Sequence, residues 1–173
     1  MSEKPITIAI TMPACRLTQA EIEKGARMFE KEGIDVIFLK PRSEASEPFN
    51  GTEKDRARDF EKIYAKKNVD VVIAGRGGCG TAQITQYLRW YKFKRRPKKI
   101  IGYSDITCLL NYFEQRFKWN VFYGPVVAKD LHAKANRATL QSFKNCLSQN
   151  SFEPIQVKNL KVLQKGKATG RLT

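Results

Sequence analysis

An α/β domain, with a mostly parallel sheet flanked by helices, is the fold class that this sequence predicts. Three observations carry the prediction. Short β-branched or apolar runs alternate with segments of helical periodicity along most of the chain. The joints between them are short and hold glycine, proline or helix-capping residues. The runs are nearly continuous in apolar character, which suits strands covered by helices on both faces.

The elements follow in order. Ile6-Thr7-Ile8-Ala9-Ile10 is a compact β-branched run and reads as a buried strand. Thr18 and Glu21 stand at capping-box spacing, with Ile22, Ala26 and Phe29 at helical intervals and Gly33 as the stop. Ile34 to Leu39 is a second strand, ended by Pro41, before a polar loop with Pro48 and Gly51 as turn residues. Thr52 with Asp55 opens a second helix that turns Phe60, Ile63 and Tyr64 inward. Val69 to Ala74 is a third strand, and Thr81 to Tyr91 a helix expected to bury Ile84, Tyr87 and Leu88. Lys99 to Tyr103 is the fourth strand, followed by a helix from Ile106 to Phe117 carrying Leu109, Leu110 and Phe113. A strand at Val121 to Tyr123 precedes Gly124-Pro125, and a last helix carries Leu140, Phe143 and Leu147. Glu153 to Thr173 differs in character: two short alternating stretches are followed by Gly166 and Gly170. The division expected is a domain over residues 1–152, and over 153–173 the start of a connection to a further domain.

The length of 173 residues supports one domain with a real core. No stretch approaches the roughly 20 apolar residues that span a bilayer. Met1 to Pro5 lacks the pattern of a secretory signal, so the expected compartment is the cytoplasm and no membrane partner is expected. Cys15, Cys79, Cys108 and Cys146 are widely spread without a CxxC pair, and His132 is the lone histidine. Reduced thiols and no structural metal are the expectation. The net charge of +15 raises the question of an anionic partner. The densest run, Lys92 to Lys99, lies beside Trp90 and Tyr91, a pattern single-stranded nucleic acid can use. The plainer reading is a solvated loop between helix and strand, and it is preferred because charge runs commonly serve solubility.

Ligands of parallel α/β sheets gather at the carboxyl ends of the strands, and two motifs fall there. Gly75-Arg76-Gly77-Gly78-Cys79-Gly80 follows the third strand. Its glycines let the backbone approach a ligand, and free N–H groups there can bind an anion or oxyanion. It fits neither nucleotide-binding glycine pattern. Gly102-Tyr103-Ser104-Asp105-Ile106-Thr107 occupies the next strand-to-helix junction, as a nucleophile elbow would, although Thr107 follows where GxSxG has glycine. On spacing alone, Ser104 or Asp105 could equally cap the following helix. A serine nucleophile needs a base. His132 is not fixed near Ser104 by any spacing, and no lysine is singled out for a Ser–Lys arrangement.

Taken together, the motifs resemble the LD-carboxypeptidase family of serine peptidases, which includes muramoyltetrapeptide carboxypeptidases and microcin C self-immunity peptidases. The match is ordered along the chain. Ile8 to Pro13 looks like the family's opening strand, and Gly51 to Phe60 is similar to the segment leading into an early helix. Asp70 to Gly80 matches the strand plus Arg-Gly-Gly-aromatic-Gly signature, and Lys98 to Leu109 the strand plus nucleophile segment. Tyr123-Gly124-Pro125 stands where the family has His-Gly-Pro.

The resemblance implies a flavodoxin-like, class I glutamine-amidotransferase-like sheet. It implies Ser104 as nucleophile, an oxyanion hole from backbone N–H groups around Gly78 and Asp105, and substrate contacts from Arg76, Gly77 and Cys79. No cofactor or metal is implied. The substrate implied is a cytoplasmic muropeptide or another short peptide, cleaved between an L-residue and a terminal D-residue. Cys79 replaces the usual aromatic residue and Tyr123 the usual histidine. The family completes a Ser–Glu–His triad from a C-terminal domain, which residues 1–173 do not match. The expectation is therefore a chain inactive alone, whose partner is a complementary C-terminal chain or a second copy of itself. The alternatives are a non-catalytic or peptide-binding domain, a peptidase of microcin-type antibiotics, and a basic nucleic-acid-binding domain.

Overall fold

The computed structural model describes residues 5–42, 47–93, 97–119, 121–131, 137–148 and 161–167. Five strands, β1 (Thr7–Thr11), β2 (Asp35–Phe38), β3 (Val71–Ala74), β4 (Lys99–Gly102) and β5 (Val121–Tyr123), form one sheet in the order β2-β1-β3-β4-β5. Every neighbouring pair is parallel. This is the doubly wound arrangement expected when helical crossovers join the strands. The interleaved helices are α1 (Gln19–Glu30), α2 (Glu53–Tyr64), α3 (Thr81–Ile84), α4 (Thr107–Phe117) and α5 (Arg137–Ser148).

Strand periodicity sorts the core into two layers. Ile8, Ile10, Val71, Ile73 and Ile101 face Ile22 and Phe29 of α1 and Phe143 and Leu147 of α5. Ala9, Val72 and Ile100 face Phe60, Ile63 and Tyr64 of α2 and Leu109, Leu110 and Phe113 of α4. Both predicted capping boxes are formed. Thr18 accepts from the Glu21 N–H while the Glu21 carboxylate accepts from Thr18, and Thr52 and Asp55 repeat the arrangement.

The segment after β3 departs from expectation. Instead of one helix over Thr81–Tyr91, α3 ends at Ile84, and two 3-10 turns follow at Thr85–Tyr87 and Trp90–Lys92. Tyr87 is exposed, with Lys54 over its ring, whereas Leu88 and Phe93 enter the core. The cause is a distant carboxylate. Glu61, on α2 and 5 % exposed, accepts the Arg89 backbone N–H at 2.6 Å and also binds the Arg89 guanidinium and Lys92. That bond takes Arg89 out of helical register, with Leu88 extended at φ −72°, ψ 127°.

Burial pushes the Glu61 carboxyl up, but the bonds from Arg89 and Lys92 outweigh it and leave it below the usual carboxylate range. A depressed folded-state pKa contributes stability above the unfolded value, and that contribution is lost as pH falls through the folded value. Glu61→Gln is therefore expected to cost about 1–3 kcal/mol near neutrality and less near about pH 3. Urea midpoints at the two pH values check this, and a pH-independent difference would count against the ion pair as the source.

The described lysines of the basic run, Lys92, Lys98 and Lys99, are committed to structure. Lys98 is buried and donates to the carbonyls of Lys66 and Val69 at 2.5 and 2.6 Å. Lys99 caps the end of α5 through the carbonyls of Cys146 and Leu147 at 2.9 and 2.8 Å. Trp90 stacks on Tyr112 with ring centroids 3.6 Å apart, so it is engaged within the fold. Lys94 to Arg96 lie outside the described residues, as do residues 149–160 and 168–173 of the C-terminal stretch. Residues 161–167 adopt neither helix nor strand. Among the described residues, no helix is long and apolar enough to cross a membrane.

Candidate active site

β3 and β4 are adjacent and parallel, so the turns leaving them emerge side by side at one end of the sheet. The β4–α4 junction is tight: a Cβ on Gly102 would stand 2.6 Å from the Ile106 side chain. Tyr103 is extended, and Ser104 then adopts φ 60°, the left-handed region that serine rarely enters. A 3-10 turn, Ser104–Ile106, leads into α4. Ser104 is exposed, and neither this turn nor α4 takes a side-chain cap at its N-terminus. The capping alternative for Ser104 is thus unused, and the backbone bears strain that presents its hydroxyl.

The glycine-rich turn lies against it. A Cβ on Gly77 would meet the Ser104 Cβ at 3.4 Å and its Oγ at 3.7 Å, so the two turns are in van der Waals reach. Gly78 and Gly80 adopt φ +115° and +98°, conformations open to glycine. Gly80 precedes α3 and has no side chain to cap it. Asp105 performs that task from the neighbouring junction, accepting the Thr81 N–H at 2.9 Å. A capping role for Asp105 was legible, but its target is α3 and not the helix that follows it.

Beneath both turns lies Arg56, whose side chain is fully buried. Its Nη1 donates to the carbonyls of Pro13 at 3.0 Å and Gly80 at 3.3 Å, and Phe49 lies against the guanidinium at 4.5 Å. One cation thereby joins the loop after β1 to the loop after β3. Sequence reasoning missed it. The available signal was an arginine on the apolar stripe of α2, one turn before Phe60 and two before Ile63.

Of the predicted site residues, Ser104, Gly77, Gly78, Cys79 and Asp105 gather at these two junctions. Arg76 is turned to α1, where its guanidinium pairs with Glu21 at 2.6 Å. Burial raises the Glu21 carboxyl, but bonds from Thr18 and the charges of Arg76 and Arg16 leave it lowered overall. Tyr123, at the end of β5, is exposed, its ring 6.0 Å from that of Tyr103. His132 lies outside the described residues. Among the described residues no group of three metal-ligating side chains comes together.

Comparison with known proteins agrees with the fold. Residues 8–124 match the family model described as the LD-carboxypeptidase N-terminal domain. The chain is 28% identical over 120 residues to the murein tetrapeptide carboxypeptidase of Pseudomonas aeruginosa, covering 69% of this chain and 39% of that protein. It is 24% identical over 139 residues to the microcin C7 self-immunity protein MccF of Escherichia coli, covering 79% and 40% of the two chains. The fold is that of the muramoyltetrapeptide carboxypeptidase of Oxalobacter formigenes, with a TM-score of 0.74 at 23% identity over 83% of this chain and 48% of that one. The chain therefore spans about half, or less, of the length of these relatives. The two junctions lie within the matched residues, and the chain belongs to the LD-carboxypeptidase family through that family's N-terminal domain.

Proposed function

We propose that this chain carries the nucleophilic half of an LD-carboxypeptidase site, acting on a muropeptide or similar short peptide in the cytoplasm. The observation that carries the reading is Ser104 held at φ 60° against Gly77. In this reading the Ser104 Oγ attacks the carbonyl of an amide between an L-residue and a terminal D-residue. The N–H groups of Gly78 and Asp105 bind the oxyanion. The proton leaving Ser104 passes through a base to the departing D-amino acid, and water then hydrolyses the ester. Tyr103, beside Ser104 in the chain, has the Tyr123 ring 6.0 Å away, and the exposed Cys79 takes the place of the family's aromatic residue. No metal or cofactor enters.

The base is the part that the described residues do not bring to Ser104. In this reading it comes from a C-terminal domain, either in continuation of residues 1–173, in a complementary chain, or in a second copy. Without it, turnover falls by on the order of 10⁴- to 10⁶-fold, while the oxyanion hole retains a residual acceleration. The likeness to MccF favours a microcin-type peptide as the second substrate class.

The test pairs two measurements on residues 1–173. A fluorophosphonate is expected to form one slow adduct, on Ser104 and absent from Ser104→Ala. Release of D-alanine from a muropeptide tetrapeptide is expected to stay at the Ser104→Ala background. No adduct on a folded sample, or adducts elsewhere, would overturn Ser104 as nucleophile. Turnover lost in Ser104→Ala would overturn the need for an outside base and make His132 the first suspect.

A further inference from the structure

Two cysteines that stand 64 residues apart in the sequence are brought to neighbouring turns at the end of the sheet that carries Ser104. Cys15 lies in the loop after β1 and Cys79 in the turn after β3, and these strands are parallel neighbours. The Cys15 Sγ rests against the backbone of Gly78, only 2.4 Å from where a Cβ on that glycine would stand. Gly78 immediately precedes Cys79, so the Cys15 sulfur lies against the stretch of backbone that carries Cys79. Both backbones are anchored. Cys15 bridges to Phe49, and Arg56 holds the carbonyls of Pro13 and Gly80 on either side of the pair. Cys79 is exposed and Cys15 half-buried, so one sulfur is reachable from solvent and the other stands behind it. Cys108 is exposed on a different element, and Cys146 is buried with its thiol pushed up to about 11.

We propose that Cys15 and Cys79 form a dithiol–disulfide modification site whose co-substrate is a low-molecular-weight disulfide. The exposed Cys79, as thiolate, attacks one sulfur of that disulfide and expels one thiolate, giving a mixed disulfide. The Cys15 sulfur then attacks the Cys79 sulfur, gives up its proton to solvent and expels the second thiol. In sum, two protein thiols and one small disulfide become one protein disulfide and two small thiols, with two electrons passing to the reagent. Desolvation, the Cys15 sulfur and the Asp105 carboxylate push the Cys79 thiol up against the opposing charge of Arg56. Closure draws the glycine-rich turn toward the β1 loop, and Gly77 of that turn lies so near Ser104 that a Cβ on it would stand 3.4 Å from the Ser104 Cβ. The bond itself requires nothing of the chemistry performed at Ser104.

Folded residues 1–173 are incubated with oxidised glutathione at mildly alkaline pH, and intact mass and peptide maps are recorded. The expected product has lost about 2 Da, two hydrogens, and its map joins the peptides holding Cys15 and Cys79. Cys15→Ser removes the second attacker, so it is expected to stop at a stable glutathione adduct on Cys79. The disulfide form is expected to melt at a higher temperature than the dithiol. A stable glutathione adduct on the unsubstituted chain would overturn the proposal. So would a disulfide through Cys108, or a folded chain that gains none while its urea-unfolded form reacts.

Discussion

Arg56→Leu is expected to lower stability by about 2–4 kcal/mol, read as a shift in urea midpoint with an unchanged slope. The guanidinium is fully buried and donates to the carbonyls of Pro13 and Gly80, with a longer contact from Nη2 to the Gln83 side chain at 3.4 Å. Removing it strands two carbonyls, each costing about 1–3 kcal/mol when left without a donor. One term opposes this. Burial disfavours the charge itself, pulling the Arg56 pKa down, and Nε has no hydrogen-bond partner among the described residues. Leucine therefore recovers some desolvation energy, as apolar replacements of buried charges do. The carbonyls dominate because both lose a donor that serves the two loops from one buried position. Arg56→Lys separates the effects: a lysine keeps the charge but cannot fork between two loops, so it is expected to recover little. Wild-type stability in Arg56→Leu would mean that Phe49 and its bridge to Cys15 hold these loops without the cation.

What the sequence disclosed and what it hid divide by the range of the interaction responsible. The capping boxes at Thr18 and Thr52 were legible because each closes over three residues, and the strands because burial on both faces leaves unbroken apolar runs. The position of Ser104 was legible as a serine between strand and helix, though its left-handed backbone was not. The broken helix after Thr81 was hidden because Glu61 causes it from 28 residues away. Asp105 announced a cap but not its recipient, since Thr81 becomes a neighbour only once β3 and β4 pair. Cys15 and Cys79 lacked the spacing of any motif, and the pairing of β1 with β3 alone makes them adjacent. Lys98 and Lys99 showed a charge density that suggested a solvated face, whereas their ammonium groups are spent on backbone carbonyls.

Ser104→Gly is expected to raise stability by about 0.5–1 kcal/mol while abolishing the fluorophosphonate adduct. A side chain at φ 60° costs about 1–2 kcal/mol, which glycine does not incur. Against this stands the greater freedom of glycine in the unfolded chain, about 0.4–1 kcal/mol. The balance favours glycine, and a chain of this size should melt about 1–4 °C higher. Ser104→Ala provides the contrast. It removes the same hydroxyl but keeps Cβ, so it relieves none of the strain and should melt near the unsubstituted chain. A purely capping serine would instead leave both variants below the unsubstituted chain, Ser104→Gly by a few tenths of a kcal/mol and Ser104→Ala by about 1 kcal/mol. If Ser104→Gly melts below Ser104→Ala, the left-handed backbone is not strained and the case for a presented nucleophile loses its physical basis. If it melts above the unsubstituted chain as well, stability is being withheld at an exposed hydroxyl beside the glycine-rich turn. That result would support the reading of Ser104 as the nucleophile, since backbone strain of this kind clusters at functional sites.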